Sequence, residues 1–518
     1  MFEIQPQTIA LALLLGTLLA YAKHRIANKG NSGVPLPPGP KGHWLWGVSI
    51  PDAFAYRFFE TQTQIYGPIF SYRQGPFSPV TVVIGRMKAA VEIMEKEGAA
   101  TMDRPRQIAA GETLSGGMRL LLTPAGERFR KLRKALHSHL QPKSIATYAP
   151  TMMAMAKQHL FDIVDDPERH QDHAKRYAAA VVMVLAYGKV PKGFDDPEVQ
   201  AVNRCLTRLG VSLRPGVWKV DVYPWLRFIP GYLRWLQDGH QEELNLFKTQ
   251  LELVKQRKAR NDPSLKECFG IYVIEQQQAL GLSDGEAAYL AGSMFGAGSD
   301  TTASAISVSV MAAATHPEAQ EKVAQELETV IGRGRAPTYA DKDSLPQTMA
   351  FVLESFRWRP VTAAGGAHKA TKDIIWEGYR IPAGATVYGN VWSVGRDPAY
   401  FPDPEAFNPQ RWLDEAGRLR DDMKNYPFGF GRRVCPGSHM ATASVFLNTA
   451  LLLWAFKLES DPARPINVLA FTESANAHPQ PFAVRWESRF RGKDGRPLNW
   501  QEGGEALREA LEGYGVEF

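Results

Sequence analysis

Only three cysteines occur in 518 residues, at Cys205, Cys268 and Cys435. They are odd in number, far apart and form no CxxC pair, which argues against a disulfide framework and a structural zinc site. That scarcity fits a folded body in a reducing, cytosol-facing environment. Internal repeats, low-complexity blocks and basic tracts are also missing. The net charge of +6 and pI near 9.0 are modest for this length. No nucleic-acid partner is expected, and the basic excess suits an acidic protein partner or membrane headgroups. The N-terminal apolar run "TIALALLLGTLLAYA", Thr8 to Ala22, holds 15 residues, short of the ~20 that span a bilayer comfortably. Glu3 and no Lys or Arg precede the run, whereas Lys23, His24, Arg25 and Lys29 follow it. Those flanks favour a membrane anchor in residues 1–30, with the body on the cytosolic side, over a cleaved signal peptide.

What is present is a chain with 44% hydrophobic residues, enough for a large core. "VPLPPGPKG", Val34 to Gly42, bars a helix and reads as a stiff linker over residues 31–42. Ile69 to Arg86 is rich in β-branched and aromatic residues with Gly and Pro breaks, and predicts a hairpin. From Met87 to about Ile331 the patterning is helical. A second strand-rich patch runs from Asp373 to Val391, and "PFAVRW" near Val484 reads as a last strand before a charged tail over 487–518. The expected fold is mainly α with small β-sheets, one continuous domain over 43–486.

The longest helical signal starts with a capping box, Ser283 and Glu286, and stops at His316-Pro317. Nearly every residue from Ala287 to Ala314 is small or apolar, so the helix should be buried all round. Inside it, "AGSDTT" places Gly298 and Asp300 where a flexible residue and a charge are both costly. One reading is a glycine packing contact with a locally bonded Asp. The other is a local opening of the helix beside a hydroxyl and an acid, with room for a small molecule.

Glu354 and Arg357 are i,i+3 partners on the helix begun by Pro346, and "FNPQRW" sets Arg411 between aromatics. Two arginines and one glutamate could form a buried network. Cys435, in "NYPFGFGRRVCPGSHMATA", could be a disulfide half, an apolar filler or a metal ligand. The segment fits F-x-x-G-x-R-x-C-x-G at Phe428, Gly431, Arg433, Cys435 and Gly437. Together with A-G-x-D-T-T, E-x-x-R and F-x-P-x-R-W, it resembles the cytochrome P-450 family of haem-thiolate monooxygenases, from Pro35 to about Trp486.

The resemblance implies a triangular helical prism around haem b, with Cys435 as the axial thiolate. Such a ligand must remain anionic, which glycine-exposed N–H groups and nearby positive charge favour. Arg433 would meet a haem propionate. Arg133, in a helix where Phe129 replaces the family's Trp, would bind one as well, and His368 stands where relatives place a His or Arg on the other propionate. Phe129 lacks the indole donor. Glu354, Arg357 and Arg411 would brace the haem core. Asp300 and Thr301 would handle O2 and its protons, beside Gly298. Electrons would come from NADPH through NADPH-cytochrome P-450 reductase, with cytochrome b5 as a second donor, against a basic face of Arg128, Arg130, Lys131 and Lys134. The location implied is the endoplasmic reticulum membrane. The aromatic stretch Ser212 to Leu236 is similar to fungal enzymes of secondary metabolism, which points to a lipophilic terpenoid or polyketide substrate. A broad xenobiotic or fatty-acid hydroxylase is the alternative within catalysis; a haem sensor or a scaffold without cofactor lies outside it.

Overall fold

The computed structural model describes residues 33–514, apart from positions 77, 192 and 194, together with Gly16. The Thr8–Ala22 run, and with it the anchor reading, otherwise lies outside the described residues. Among the described residues no helix is long and apolar enough to cross a membrane.

The longer helices, in chain order, are α1 (Ala55–Tyr66), α2 (Glu127–Leu140), α3 (Pro142–Asp165), α4 (His170–Tyr187), α5 (Pro197–Ser212), α6 (Arg234–Ala259), α7 (Phe269–Leu280), α8 (Asp284–Thr315), α9 (Pro317–Val330), α10 (Pro346–Trp358), α11 (Ser438–Ala455) and α12 (Trp500–Ala510). The strands are β1 (Ile69–Tyr72), β2 (Thr81–Ile84), β3 (His368–Lys369), β4 (Ile374–Trp376), β5 (Tyr379–Ile381), β6 (Thr386–Gly389), β7 (Phe456–Ser460) and β8 (Val484–Ser488). β1 and β2 form the expected hairpin, Ile69 opposite Ile84. β2 then pairs in parallel with β6, and β6 antiparallel with β3, which seats His368 opposite Val387. β4–β5 and β7–β8 are separate two-stranded sheets.

α8 is the axis of the molecule. Its capping box is formed as read: Ser283 Oγ accepts from the Glu286 N–H, and Glu286 returns a bond to the Ser283 N–H at 2.8 Å. From Thr302 to Ala314 every side chain is buried, so this half of the helix is held by tertiary packing on all sides rather than by one apolar stripe. Its most extensive helix contact is with α4, whose last eleven residues are also all buried. α11 runs beneath it, buried over nearly its whole length, and carries the loop that holds Cys435.

Two peripheral segments are more ordered than their composition suggests. The prolines of the 31–42 segment lie along the sheets: Ser71 donates to the carbonyls of Pro37 and Pro38, and the Arg380 N–H to that of Pro35. After Trp486 the chain forms α12, capped by Asn499 and Glu502. Trp500 Nε1 donates to the Val164 carbonyl at 3.0 Å, and its ring lies 5.4 Å from that of Phe456. The charged C-terminal segment is therefore packed against α3 and the β7–β8 sheet.

Candidate active site

Cys435 follows two short 3-10 turns, Tyr426–Phe428 and Gly431–Arg433, and leads into α11. Gly431 has a φ of +58°, and a Cβ there would fall 2.2 Å from the Met94 carbonyl oxygen. Only glycine allows that approach. The Cys435 N–H donates to the Phe428 carbonyl at 2.9 Å, closing the loop, and the Phe428 ring meets Phe356 edge-on at 5.3 Å. Burial pushes the Cys435 thiol up, opposed by the Gly437 N–H on the sulfur and by the charge of Arg133. A Cβ on Gly437 would meet no protein atom within 4 Å, so the loop leaves room beside the sulfur.

Around this loop gather cations that lack anionic partners. Arg433 donates to the carbonyls of Met102 and Thr123 at 2.6 and 2.8 Å. Arg133 donates to the Val434 carbonyl, and Arg104 to those of Leu121 and Ala367. Among the described residues no carboxylate is hydrogen-bonded to any of the three. The nearby Asp103 is taken by Lys369 at 3.2 Å and the Ala125 N–H at 2.8 Å. Burial, reinforced by the charges of Arg104 and Arg133, lowers Arg433 to about 9; burial lowers Arg104 to about 10. His368 is held down to about 3 by burial and by Arg104 and Arg433, although its Nδ1 meets the Thr101 carbonyl at 2.7 Å.

One buried and two half-buried guanidinium groups with no carboxylate hydrogen-bonded to them are costly and invite an anionic ligand. Among the described residues no three His, Cys, Asp or Glu side chains could together hold a bare metal ion. A cofactor that would take one cysteine thiolate and offer carboxylates to arginines fits this donor set. Cys435, Arg133, Arg433 and the unanticipated Arg104 are the residues that would hold haem; His368 lies among them, but with Nδ1–H on the Thr101 carbonyl its neutral ring offers Nε2 only as an acceptor. Nothing local in "DRPR" marks Arg104; only its fold partner across 263 residues, Ala367, brings it here.

Glu354 is fully buried and accepts five hydrogen bonds. Arg357 Nε and Nη2 donate at 2.8 Å each, the Asn408 N–H at 2.8 Å, Arg411 Nε at 3.2 Å and Trp412 Nε1 at 2.9 Å. The Glu354–Arg357–Arg411 group is thus assembled as one network, with Trp412 an added member. It touches no part of the Cys435 loop through these bonds and serves as a brace.

In α8 the glycine does not open the helix, which is continuous through AGSDTT. A Cβ on Gly298 would fall 2.4 Å from Val182 Cγ1, so the glycine is a close crossing point with α4, as the packing reading requires. Little more than one turn of helix wall is nevertheless partly uncovered: Ala297 is exposed, and Gly298, Asp300 and Thr301 are partly so. Thr301 Oγ1 donates to the Ala297 carbonyl at 2.7 Å, which loosens the ladder there without breaking it. The Asp300 carboxylate turns instead to the loop before β8, toward His478 and Asn476. Neither residue was legible as a partner, since 176 or more residues separate them from Asp300.

Comparison with known proteins bears on the same geometry. Residues 37–485 match the family Cytochrome P-450. The chain is 50% identical to cytochrome P-450 monooxygenase 88 of Postia placenta over 482 residues, 92% of this chain and 96% of that protein. It is 52% identical to monooxygenase 113 of the same organism over 457 residues, 88% of this chain and 92% of that protein. Identity is 31% to cytochrome P-450 monooxygenase macC of Penicillium terrestre, over 93% of this chain and 94% of that protein. The chain belongs to the cytochrome P-450 family and is a monooxygenase, an oxidoreductase that uses a haem-thiolate iron and O2.

Proposed function

We propose that this enzyme inserts one atom of O2 into a C–H bond of a lipophilic small molecule, terpenoid or polyketide in type, as a step of fungal secondary metabolism. The observation that carries the reading is the Cys435 loop set among uncompensated arginines, on the same core as the half-uncovered Ala297–Thr301 wall of α8. When bound, haem with a cysteine thiolate supplies O2 activation and favours O–O cleavage. The protein's part is positioning. Arg104, Arg133 and Arg433 would hold the cofactor's carboxylates, Thr301 presents a hydroxyl on the partly exposed face of α8, and Asp300 would carry protons toward it.

Electrons come from NADPH through a flavin reductase of the cytochrome P-450 reductase type, with cytochrome b5 as a second donor. In support, Arg128, Arg130, Lys131 and Lys134 are exposed on α2 while Phe129 and Leu132 of the same helix are buried. Such a face suits an acidic partner. The catalytic body sits on the endoplasmic reticulum membrane, anchored through residues 1–30. In support, Trp44 and Trp46 are 79% and 65% exposed, and Trp225 and Phe228 61% and 80%. The two loops that carry them both meet residues 73–75, and exposed aromatics on one side suit an interface with lipid.

The test is turnover of the purified enzyme with reductase, NADPH and isotopically labelled O2 on a mixed panel of terpenoids, polyketides and fatty acids. One dominant product carrying a single labelled oxygen is expected. Many weak products would favour the broad-specificity hydroxylase instead.

A further inference from the structure

The Asp300 carboxylate has both oxygens occupied by one loop. Oδ1 lies 2.8 Å from His478 Nε2, and Oδ2 accepts from Asn476 Nδ2 at 2.8 Å. The loop itself is fixed. Asn476 Oδ1 accepts from Thr362 Oγ1 at 3.2 Å, and the His478 N–H donates to Thr472 Oγ1 at 3.0 Å. Between the two side chains, Ala477 is pinned from both sides: its N–H donates to the Val361 carbonyl at 2.7 Å and its carbonyl accepts from Ser304 Oγ of α8 at 2.7 Å. Three segments, residues 361–362, the 472–478 loop and α8, therefore agree on where the Asp300 carboxylate points.

The chemistry of the pair is directional. Burial acts to raise the Asp300 carboxyl, but the hydrogen bond from His478, the Asn476 amide and the more distant charge of Lys175 together hold it below its ordinary value. An ionised carboxylate accepts only, so His478 presents Nε2–H to it. The other ring nitrogen is then the one open to a new proton. His478 retains 22% side-chain exposure against 17% for Asp300, and it lies on a loop, whereas Asp300 is on the central helix. The groups acting on Asp300 are His478 and Asn476 from the loop and the charged Lys175 from α4; Lys175 is itself engaged with Asp172 at 3.0 Å.

We infer that His478 is a positioning residue for Asp300 and the group that supplies it with protons: a proton taken from solvent at Nδ1 is matched by transfer of the Nε2 proton to Asp300 Oδ1. No electrons move in this step: the imidazole is left neutral as its Nδ1–H tautomer, and tautomer exchange through solvent restores the Nε2–H that faces Asp300. Asn476 holds the second oxygen so that the first stays aligned. The inference deepens the reading of the enzyme as a monooxygenase and rests on it.

The test uses the full-length haem-loaded enzyme as wild type, His478→Gln, His478→Ala and Asp300→Asn. Glutamine keeps an N–H donor but cannot pass a proton on. The readout independent of turnover is the imidazole nitrogen NMR signal of histidine-labelled protein: the signal absent from His478→Gln is expected to be displaced in Asp300→Asn. With reductase and NADPH, both His478 variants are expected to lose roughly a hundredfold in kcat, the lower end for loss of a proton-transfer group. Their substrate KM is unchanged, product per NADPH falls, and the solvent deuterium isotope effect rises. An undisplaced signal overturns the pairing. Full coupling in His478→Gln overturns proton supply. A signal displaced in Asp300→Asn together with a wild-type enzyme that forms no oxygenated product from any substrate overturns the monooxygenase reading, and proton supply with it, while the pairing stands.

Discussion

The guanidinium carbon of Arg433 lies 3.6 Å from the ring centroid of Phe129. The position where the family's pattern has an indole donor thus acts here through its ring face, holding the arginine beside the Cys435 loop. An arginine so stacked and bonded to two carbonyls is pre-positioned for a carboxylate. Arg433→Ala is expected to fold with unchanged far-UV circular dichroism but to purify with markedly less haem per chain. Arg433→Lys, which lacks the planar fork, restores little of it. Full haem content in Arg433→Ala would remove this residue from the cofactor cradle.

The Glu354 network makes a different demand. Its carboxylate is fully buried among five donors, so Glu354→Ala strands the fully buried Arg357 charge. Breaking one side of such a pair costs about 3–5 kcal/mol. Urea unfolding should show that loss, with Arg357→Met comparable and the double variant less than additive, because its second change strands nothing further.

At the crossing of α8 and α4, Gly298→Ala inserts a methyl 2.4 Å from Val182 Cγ1. Overpacking of this kind costs about 1–3 kcal/mol. The variant is expected to melt earlier than wild type, and Val182→Ala in the same chain to recover most of the loss. No recovery would mean that Gly298 serves something other than packing.

Asp221 gives the pH dependence. Its Oδ1 accepts from the N–H groups of Ile108 and Ala109 at 2.6 and 3.0 Å. Burial nevertheless raises its carboxyl from 3.8 to about 6, with Glu112 adding to the rise. A carboxyl whose folded value lies above its unfolded one binds its proton more tightly when folded. Its stabilising contribution is therefore fully present below about pH 4 and lost as pH rises through about 6, a swing of roughly 1–3 kcal/mol. Hydrogen exchange over 108–114 should accelerate from pH 5 to pH 7 after correction for intrinsic rates. Asp221→Asn should abolish the difference.

Much of this was readable before any coordinates, and for a common reason. The α8 capping box, the E-x-x-R pair and the Cys435 loop are encoded within one helical turn or one tight loop, where spacing alone fixes geometry. Gly298 is the instructive failure. Its cost in a helix was legible, but whether that cost admits a ligand or a neighbouring helix depends on Val182, 116 residues away. Arg104, Asn476 and His478 reach the site only through long-range packing and carry no local pattern. α12 did carry a signal: Asn499 followed three residues on by Glu502 is a capping pattern inside a segment whose charge alone suggested an exposed tail.

The measurement that tests the central claim most directly is the absorption spectrum of the purified protein, reduced with dithionite, before and after carbon monoxide, for wild type and Cys435→Ser. A strongly red-shifted Soret band in wild type, absent from Cys435→Ser, is the predicted result. A band at the position of histidine-ligated haem, or no haem band at all in wild type, would contradict the assignment of Cys435 as axial ligand and the activity built on it.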